Sequence, residues 1–179
     1  MRVEKDPARV AELARQREGA NWAFRGFLKS SDIPSSRLDR TVRELCAEAS
    51  AQVECRKCAN CCKVISPLLT GADIKRLAAH LGLTAAAFKT RFLRDAGDGE
   101  GLAFNTRPCP FLKDGACAVY DWRPRDCRSF PHLHKRDFVF RLIQAVENAS
   151  VCPIVFSVYE GLKREFWHRR DIPEEANDG

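Results

Sequence analysis

Apolar residues recur at three- and four-residue steps in several stretches of the chain. Leu38, Val42, Leu45, Ala49 and Val53 mark one face of a helix of roughly 17 residues, and Ser36 with Asp39 three residues on reads as its capping box. Val10, Leu13, Trp22, Phe24, Phe27 and Leu28 predict an earlier helix over 7–29, ended by Ser30-Ser31-Asp32-Ile33-Pro34. The two together read as an N-terminal helical hairpin. Thr70-Gly71-Ala72-Asp73 is a second capping box, followed by Ile74, Leu77, Ala78 and Leu81 and closed by Gly82. Thr84 opens a short helix through Phe88 and Phe92, and Pro153 opens a last one carrying Val155, Val158, Tyr159, Leu162 and Phe166.

Between these stretches the periodicity fails. Asp95 to Gly101 reads as a polar loop leading to Leu102-Ala103-Phe104, and Lys113-Asp114-Gly115 as a tight turn. Pro108, Pro110, Pro124 and Pro131 exclude long helices through that region, while Phe138 to Val146 is apolar with no clear period. The expected fold is mainly α, a small helical domain around an irregular cysteine-rich metal-binding core. Its expected segments are the hairpin over 1–54, the cysteine region over 55–155, and a C-terminal helix over 156–179 whose acidic tail from Asp171 is disordered, all in one globular unit.

Composition narrows the chemistry. The chain has 179 residues, 45% hydrophobic and 30% charged, with no apolar run long enough to span a membrane. Met1-Arg2-Val3-Glu4-Lys5-Asp6-Pro7 is not the start of a secretory signal, so the expected location is the cytoplasm, where thiols stay reduced. Nine cysteines stand beside a single methionine, and an odd number in that compartment points to metal ligation rather than disulfides. Net charge is +6, with +6 over 55–95 and +4 over 107–141, so the basic surplus coincides with the cysteines. Such a surplus fits a polyanion, but eight thiolates would bring about −8, which two dipositive centres would offset only by half. Nearby arginines answer that charge, and nucleic-acid binding is disfavoured.

The first cluster, Cys55-Arg56-Lys57-Cys58-Ala59-Asn60-Cys61-Cys62, is C-x2-C-x2-C-C. Two intervening residues let the chain turn back so that successive thiolates converge, a spacing shared by zinc and iron–sulfur sites. Cys109, Cys117, Cys127 and Cys152 bring the candidate ligands to eight, two sets of four. Cys46, beside the stripe of a predicted helix, reads as a small buried hydrophobe. A zinc ribbon would need a second C-x2-C pair, which this chain lacks. Cys55, Cys58 and Cys61 with a remote Cys-Pro, from Cys109-Pro110 or Cys152-Pro153, are instead ferredoxin-like. The reading therefore prefers an iron–sulfur cluster, of the 4Fe-4S kind, over Zn2+.

The pattern resembles the CxxCxxCC family, also called YkgJ-like cysteine-cluster proteins and described as zinc- or iron-chelating. The resemblance rests on Cys55 to Cys62, Cys109-Pro110-Phe111-Leu112, Cys117-Ala118-Val119-Tyr120, Arg123-Pro124, Cys127-Arg128-Ser129-Phe130-Pro131 and Cys152-Pro153. It implies a metal or iron–sulfur centre held by those cysteines, and one branch of the family contains flagellin lysine N-methylases. Arg123, Arg125 and Arg128 lie in the cysteine-rich loop, able to bond cluster sulfurs or to pair with Asp121 or Asp126; Arg123 and Arg128, on the family pattern, are the candidates for supporting the cofactor. Tyr120 and Trp122 read as packing around the site. His132 and His134 are weaker nitrogen-donor candidates, and His80 and His168 read as surface residues. Gly99-Glu100-Gly101 is not a nucleotide-binding loop.

No catalytic apparatus is evident. The expected function is a cytoplasmic zinc- or iron-chelating protein in storage, sensing or electron transfer, with metal or cluster as its ligand and room for a protein partner. The alternatives are a lysine methyltransferase or its accessory, as the family's methylase branch implies, and a zinc-stabilised nucleic-acid-binding module.

Overall fold

The computed structural model describes residues 2–97, 99 and 101–168; the acidic tail expected from Asp171 lies outside them, as do positions 98 and 100 of the polar loop. In chain order the elements are α1 (Pro7–Gln16), α2 (Glu18–Ser30), α3 (Ser35–Ser50), α4 (Cys55–Cys58), α5 (Asn60–Val64), β1 (Leu68–Leu69), α6 (Gly71–His80), α7 (Ala85–Phe92), β2 (Leu93–Asp95), β3 (Leu102–Phe104), β4 (Leu112–Lys113), β5 (Ala116–Cys117), α8 (Arg125–Ser129), α9 (Leu142–Ala149) and α10 (Pro153–Phe166). Short 3-10 turns occupy Tyr120–Trp122 and Phe138–Arg141. The fold is mainly α, and among the described residues no helix is long and apolar enough to cross a membrane.

The chain divides into two compact units, one made of the residues up to Glu54 with those from Pro131 on, the other of Cys55–Phe130. In the first, α10 is the organising helix, packing with α1, α3 and α9. Pro153 at its start has no N–H to lose, and Val155, Val158, Tyr159, Leu162 and Phe166 are all buried. At Gly161 an added Cβ would stand 2.9 Å from both Leu45 methyl carbons, so glycine permits the close approach of α3. The Tyr159 ring meets Phe24 edge-on at 5.3 Å, and its hydroxyl donates to the Asn21 carbonyl oxygen at 3.1 Å. Lys163 Nζ donates to Asn21 Oδ1 at 2.5 Å and to Glu160 Oε1 at 2.8 Å. Burial pulls the Lys163 pKa down, with Glu160 acting the other way.

Two expectations are corrected here. The single helix over 7–29 is two, because the chain leaves helical geometry at Arg17, two residues before the weak helix former Gly19. The capping box at Ser36 and Asp39 is absent: α3 begins at Ser35 behind Pro34 without a side-chain cap. Asp39 is instead buried, and its two carboxylate oxygens accept from the Asp137 N–H at 2.8 Å and the Phe138 N–H at 2.9 Å. A long-range partner outcompetes the local one because two backbone donors, that of Phe138 buried and that of Asp137 partly so, need an acceptor.

The second unit is built from short pieces. The expected capping box at Thr70 and Asp73 is present, and Gly82, with φ +67°, ends α6 in a Schellman arrangement: Leu83 N–H bonds Ala78 O and Gly82 N–H bonds Ala79 O. Thr84 caps α7 through the Ala87 N–H. Leu102-Ala103-Phe104 forms the central strand of an antiparallel sheet ordered β1-β3-β2. Ile74, Leu77, Phe88, Phe104 and Phe111 form the core of this unit, with Cys109 and Cys117 packed against it.

Candidate metal centre

The C-x2-C-x2-C-C segment folds as two short helices, α4 and α5, joined at Ala59. Ala59 is buried with φ +46°, a left-handed turn rare for a residue with a Cβ, which reverses the chain so that α5 starts at once. The Cys62 N–H bonds Ala59 O at 3.0 Å, and the Ile65 N–H bonds Cys61 O at 2.8 Å. Cys55 is exposed, and Cys58, Cys61 and Cys62 are half-buried.

A second segment is tied directly to this one, since the Cys109 N–H donates to Cys62 O at 2.8 Å. Two residues on, Phe111 sits 5.0 Å from Phe92 and 5.5 Å from Phe104 between ring centroids, pinning the Cys109 loop to the core. The chain then turns through Asp114 and Gly115, both with positive φ, the backbone of a type I′ hairpin. The register pairs Leu112 with Cys117, which brings Cys117 back beside the Cys109 loop.

Cys127 arrives on α8, whose position depends on Asp73. That carboxylate is 1% exposed, and its Oδ2 accepts from the Thr70 N–H and hydroxyl at 3.0 and 2.7 Å. Its Oδ1 accepts from Arg76 at 2.7 Å and from the Arg125 N–H at 3.0 Å. Arg76 in turn donates to Arg123 O at 3.0 Å. Burial raises the Asp73 pKa, but the bonds from Thr70, Arg76 and Arg125 more than offset it and hold the group below its ordinary value. Sequence reading assigned Asp73 only to a helix cap and passed over Arg76; their i, i+3 spacing was the available signal.

Cys62, Cys109, Cys117 and Cys127 thus come from four segments, and their charges bear on one another. Burial pushes the Cys109 thiol up to about 11, with Cys62 and Cys117 adding to the rise. Burial also raises Cys127, reinforced by Cys109, Cys62 and Cys117 among others. For Cys117 burial raises the pKa, the charge of Cys62 adds to it, and Arg123 and Arg56 work the other way. Cys62 goes in the opposite direction, to about 7, because the Cys61 thiol donates a hydrogen bond that favours its thiolate against burial. Soft sulfur donors suit zinc, iron and iron–sulfur clusters, so the donor chemistry fits such a group. Among the described residues no group of three or more Cys, His, Asp or Glu side chains stands within coordination range, so the thiols are a gathered set rather than a closed coordination shell.

The arginines divide. Arg123 donates to Tyr120 O at 2.6 Å, and its guanidinium carbon lies 3.6 Å from the Tyr120 ring centroid. Arg128 is exposed on α8. Arg56, which sequence reading did not single out, also lies over the Tyr120 ring, 4.4 Å from its centroid. Trp122 stacks on His80 at 3.6 Å, so His80 is a packing partner as well as a surface residue.

The remaining candidates lie in the other unit. Cys152 is buried at the start of α10, and His132 and His134 fall in the segment before the turn at Phe138–Arg141. Cys46 is on α3, its sulfur 3.8 Å from the Ser50 hydroxyl. All nine cysteines lie among the described residues, and none is in a disulfide.

The arrangement has a counterpart among known protein families. A family model described as "Putative zinc- or iron-chelating domain", CxxCxxCC, matches residues 54–153. The chain belongs to the CxxCxxCC family. This membership ties it to chelation of zinc or iron and covers all eight cysteines expected as ligands. Neither the curated proteins nor the solved structures gave a match.

Proposed function

We propose that this protein chelates zinc or iron in the cytoplasm through a tetrathiolate centre on Cys62, Cys109, Cys117 and Cys127, with an iron–sulfur cluster as the preferred occupant. The observation that carries the reading is that these four half-buried thiols lie in one unit on segments tied to one another, Cys109 to Cys62 by a backbone hydrogen bond and Cys117 to the Cys109 loop by the Leu112 pairing. Cys55, Cys58 and Cys61 adjoin the centre in sequence, and their C-x2-C-x2-C spacing is the ferredoxin-like one, which favours a cluster. Cys152, expected as the eighth ligand, belongs to the other unit. Arg123 supports the centre beside Cys117, with Arg128 exposed at its edge. The role that follows is metal storage, sensing or electron transfer, since the site offers soft thiol ligands.

Anaerobic purification followed by a visible spectrum, with iron, zinc and acid-labile sulfide counted per chain, tests this reading. Brown protein with matching iron and sulfide supports a cluster, and colourless protein with one zinc per chain supports chelation but overturns the cluster. Cys109→Ser and Cys127→Ser should each lower metal content several-fold. Full metal content in both variants would overturn the ligand assignment.

A further inference from the structure

The guanidiniums of Arg56 and Arg123 both lie over the Tyr120 ring, at 4.4 and 3.6 Å from its centroid, and so no more than about 8 Å apart. The two cations come from different parts of the unit. Arg56 is in α4, between Cys55 and Cys58, and α4 packs against the β5 strand that carries Cys117; Arg123 follows the 3-10 turn and is tied back to it through Tyr120 O. Arg76, anchored by buried Asp73, holds the backbone of Trp122 and Arg123 and so fixes where this second cation stands. An aromatic face attracts each cation, but gathering two like charges on one ring works against that attraction unless an anion adjoins them. The adjoining group is Cys117, the last residue of β5, against which the α4 that carries Arg56 packs and from which the chain runs three residues to Tyr120.

Charge counting makes the arrangement specific. Four thiolates bring about −4 and a dipositive metal or a cluster core of the same charge brings about +2, so a tetrathiolate centre is a dianion. Arg56 and Arg123 supply two positive charges.

We propose that Arg56 and Arg123, organised on the Tyr120 ring, are positioning residues that compensate the charge of a dianionic tetrathiolate centre and so set how tightly it is held. This inference rests on the centre described above. Arginine suits the task because it remains charged and its planar head stacks on an aromatic face. Tyr120 is the platform, holding both cations on one ring three residues from Cys117.

Cobalt titration of the full chain under anaerobic, reducing conditions tests this. Thiolate-to-metal absorption reports the number of sulfurs bound, and competition with a chelator reports affinity. Arg56→Gln and Arg123→Gln should each weaken cobalt binding by about tenfold at low salt, the lower end of what residues supporting a metal site contribute, with the tetrathiolate spectrum unchanged. Arg56→Lys, which keeps the charge, should recover most of the loss, and Tyr120→Leu should weaken binding without removing a charge. Raising the salt should narrow the gap between wild type and the exposed Arg56→Gln. If both glutamine variants bind cobalt as tightly as wild type, or if Arg56→Lys is as impaired as Arg56→Gln, the proposal fails while the centre stands. If the wild-type chain shows no tetrathiolate absorption with cobalt, the centre itself fails and this inference with it.

Discussion

The helical unit and the cysteine unit are stabilised by different means. In the first, α10 buries apolar side chains along most of its length against α1, α3 and α9, and polar groups such as Asn21, Lys163 and Glu160 satisfy one another at its margin. In the second, the pieces bearing cysteines are five residues or fewer, too short to hold themselves. Their positions depend on a few specific anchors: Phe111 under the Cys109 loop, the Asp114-Gly115 turn, and Asp73 with Arg76 beneath α8. Burial distributed along a helix tolerates local error, whereas a site assembled from short segments fails when one anchor is removed.

The sharpest way to test this contrast is one large truncation in each unit. Phe111→Ala should cost about 3–5 kcal/mol and also reduce zinc or iron uptake, because the Cys109 loop loses its anchor. Leu162→Ala, at a fully buried position of α10, should cost about 2–5 kcal/mol while leaving metal content per folded chain unchanged. Denaturant unfolding with metal analysis reads both, and equal loss of metal in the two variants would erase the distinction.

Asp73→Asn comes next, at about 2–3 kcal/mol, since a charged acceptor of several hydrogen bonds is replaced inside the fold. Its pH dependence is distinctive. The folded pKa lies below the unfolded value of about 3.9, so the contribution of Asp73 is complete above that value and disappears as the pH falls through the folded one. Acid melts of the wild type should therefore steepen below about pH 4, and those of Asp73→Asn should steepen less.

Metal uptake should also follow pH. Cys109, raised to about 11, is protonated at neutral pH, so a metal must displace its proton and binds more weakly at pH 6 than at pH 8. Zinc competition titrations at the two values would show this. The smallest expected change is at the Arg37–Glu165 pair, 3.6 Å apart and half-exposed on both sides: Glu165→Gln should shift stability by no more than about 0.5 kcal/mol in a thermal melt.

Local rules made much of this legible. The Thr70 and Thr84 caps, the Gly82 stop, the Asp114-Gly115 turn and the start of α10 at Pro153 are written in neighbouring residues, and each is present. The misreadings have a shared cause. Ser36 and Asp39 satisfy the local pattern of a capping box, but Asp39 serves backbone donors nearly a hundred residues away. The helix over 7–29 has continuous periodicity, yet it breaks at Arg17, whose guanidinium reaches Glu160 at 2.7 Å.

The same division runs through the site. By itself the sequence determined the donor chemistry, the cysteine-rich pattern that places the chain in its family, and the mainly helical class, because residue type, spacing and periodicity are local properties. Only the tertiary structure decided that Cys62, Cys109, Cys117 and Cys127 are drawn together, that Cys152 belongs to another unit, and that Arg56 shares the Tyr120 ring with Arg123. Those relations depend on how short segments pack across dozens of intervening residues, and no local spacing carries that information.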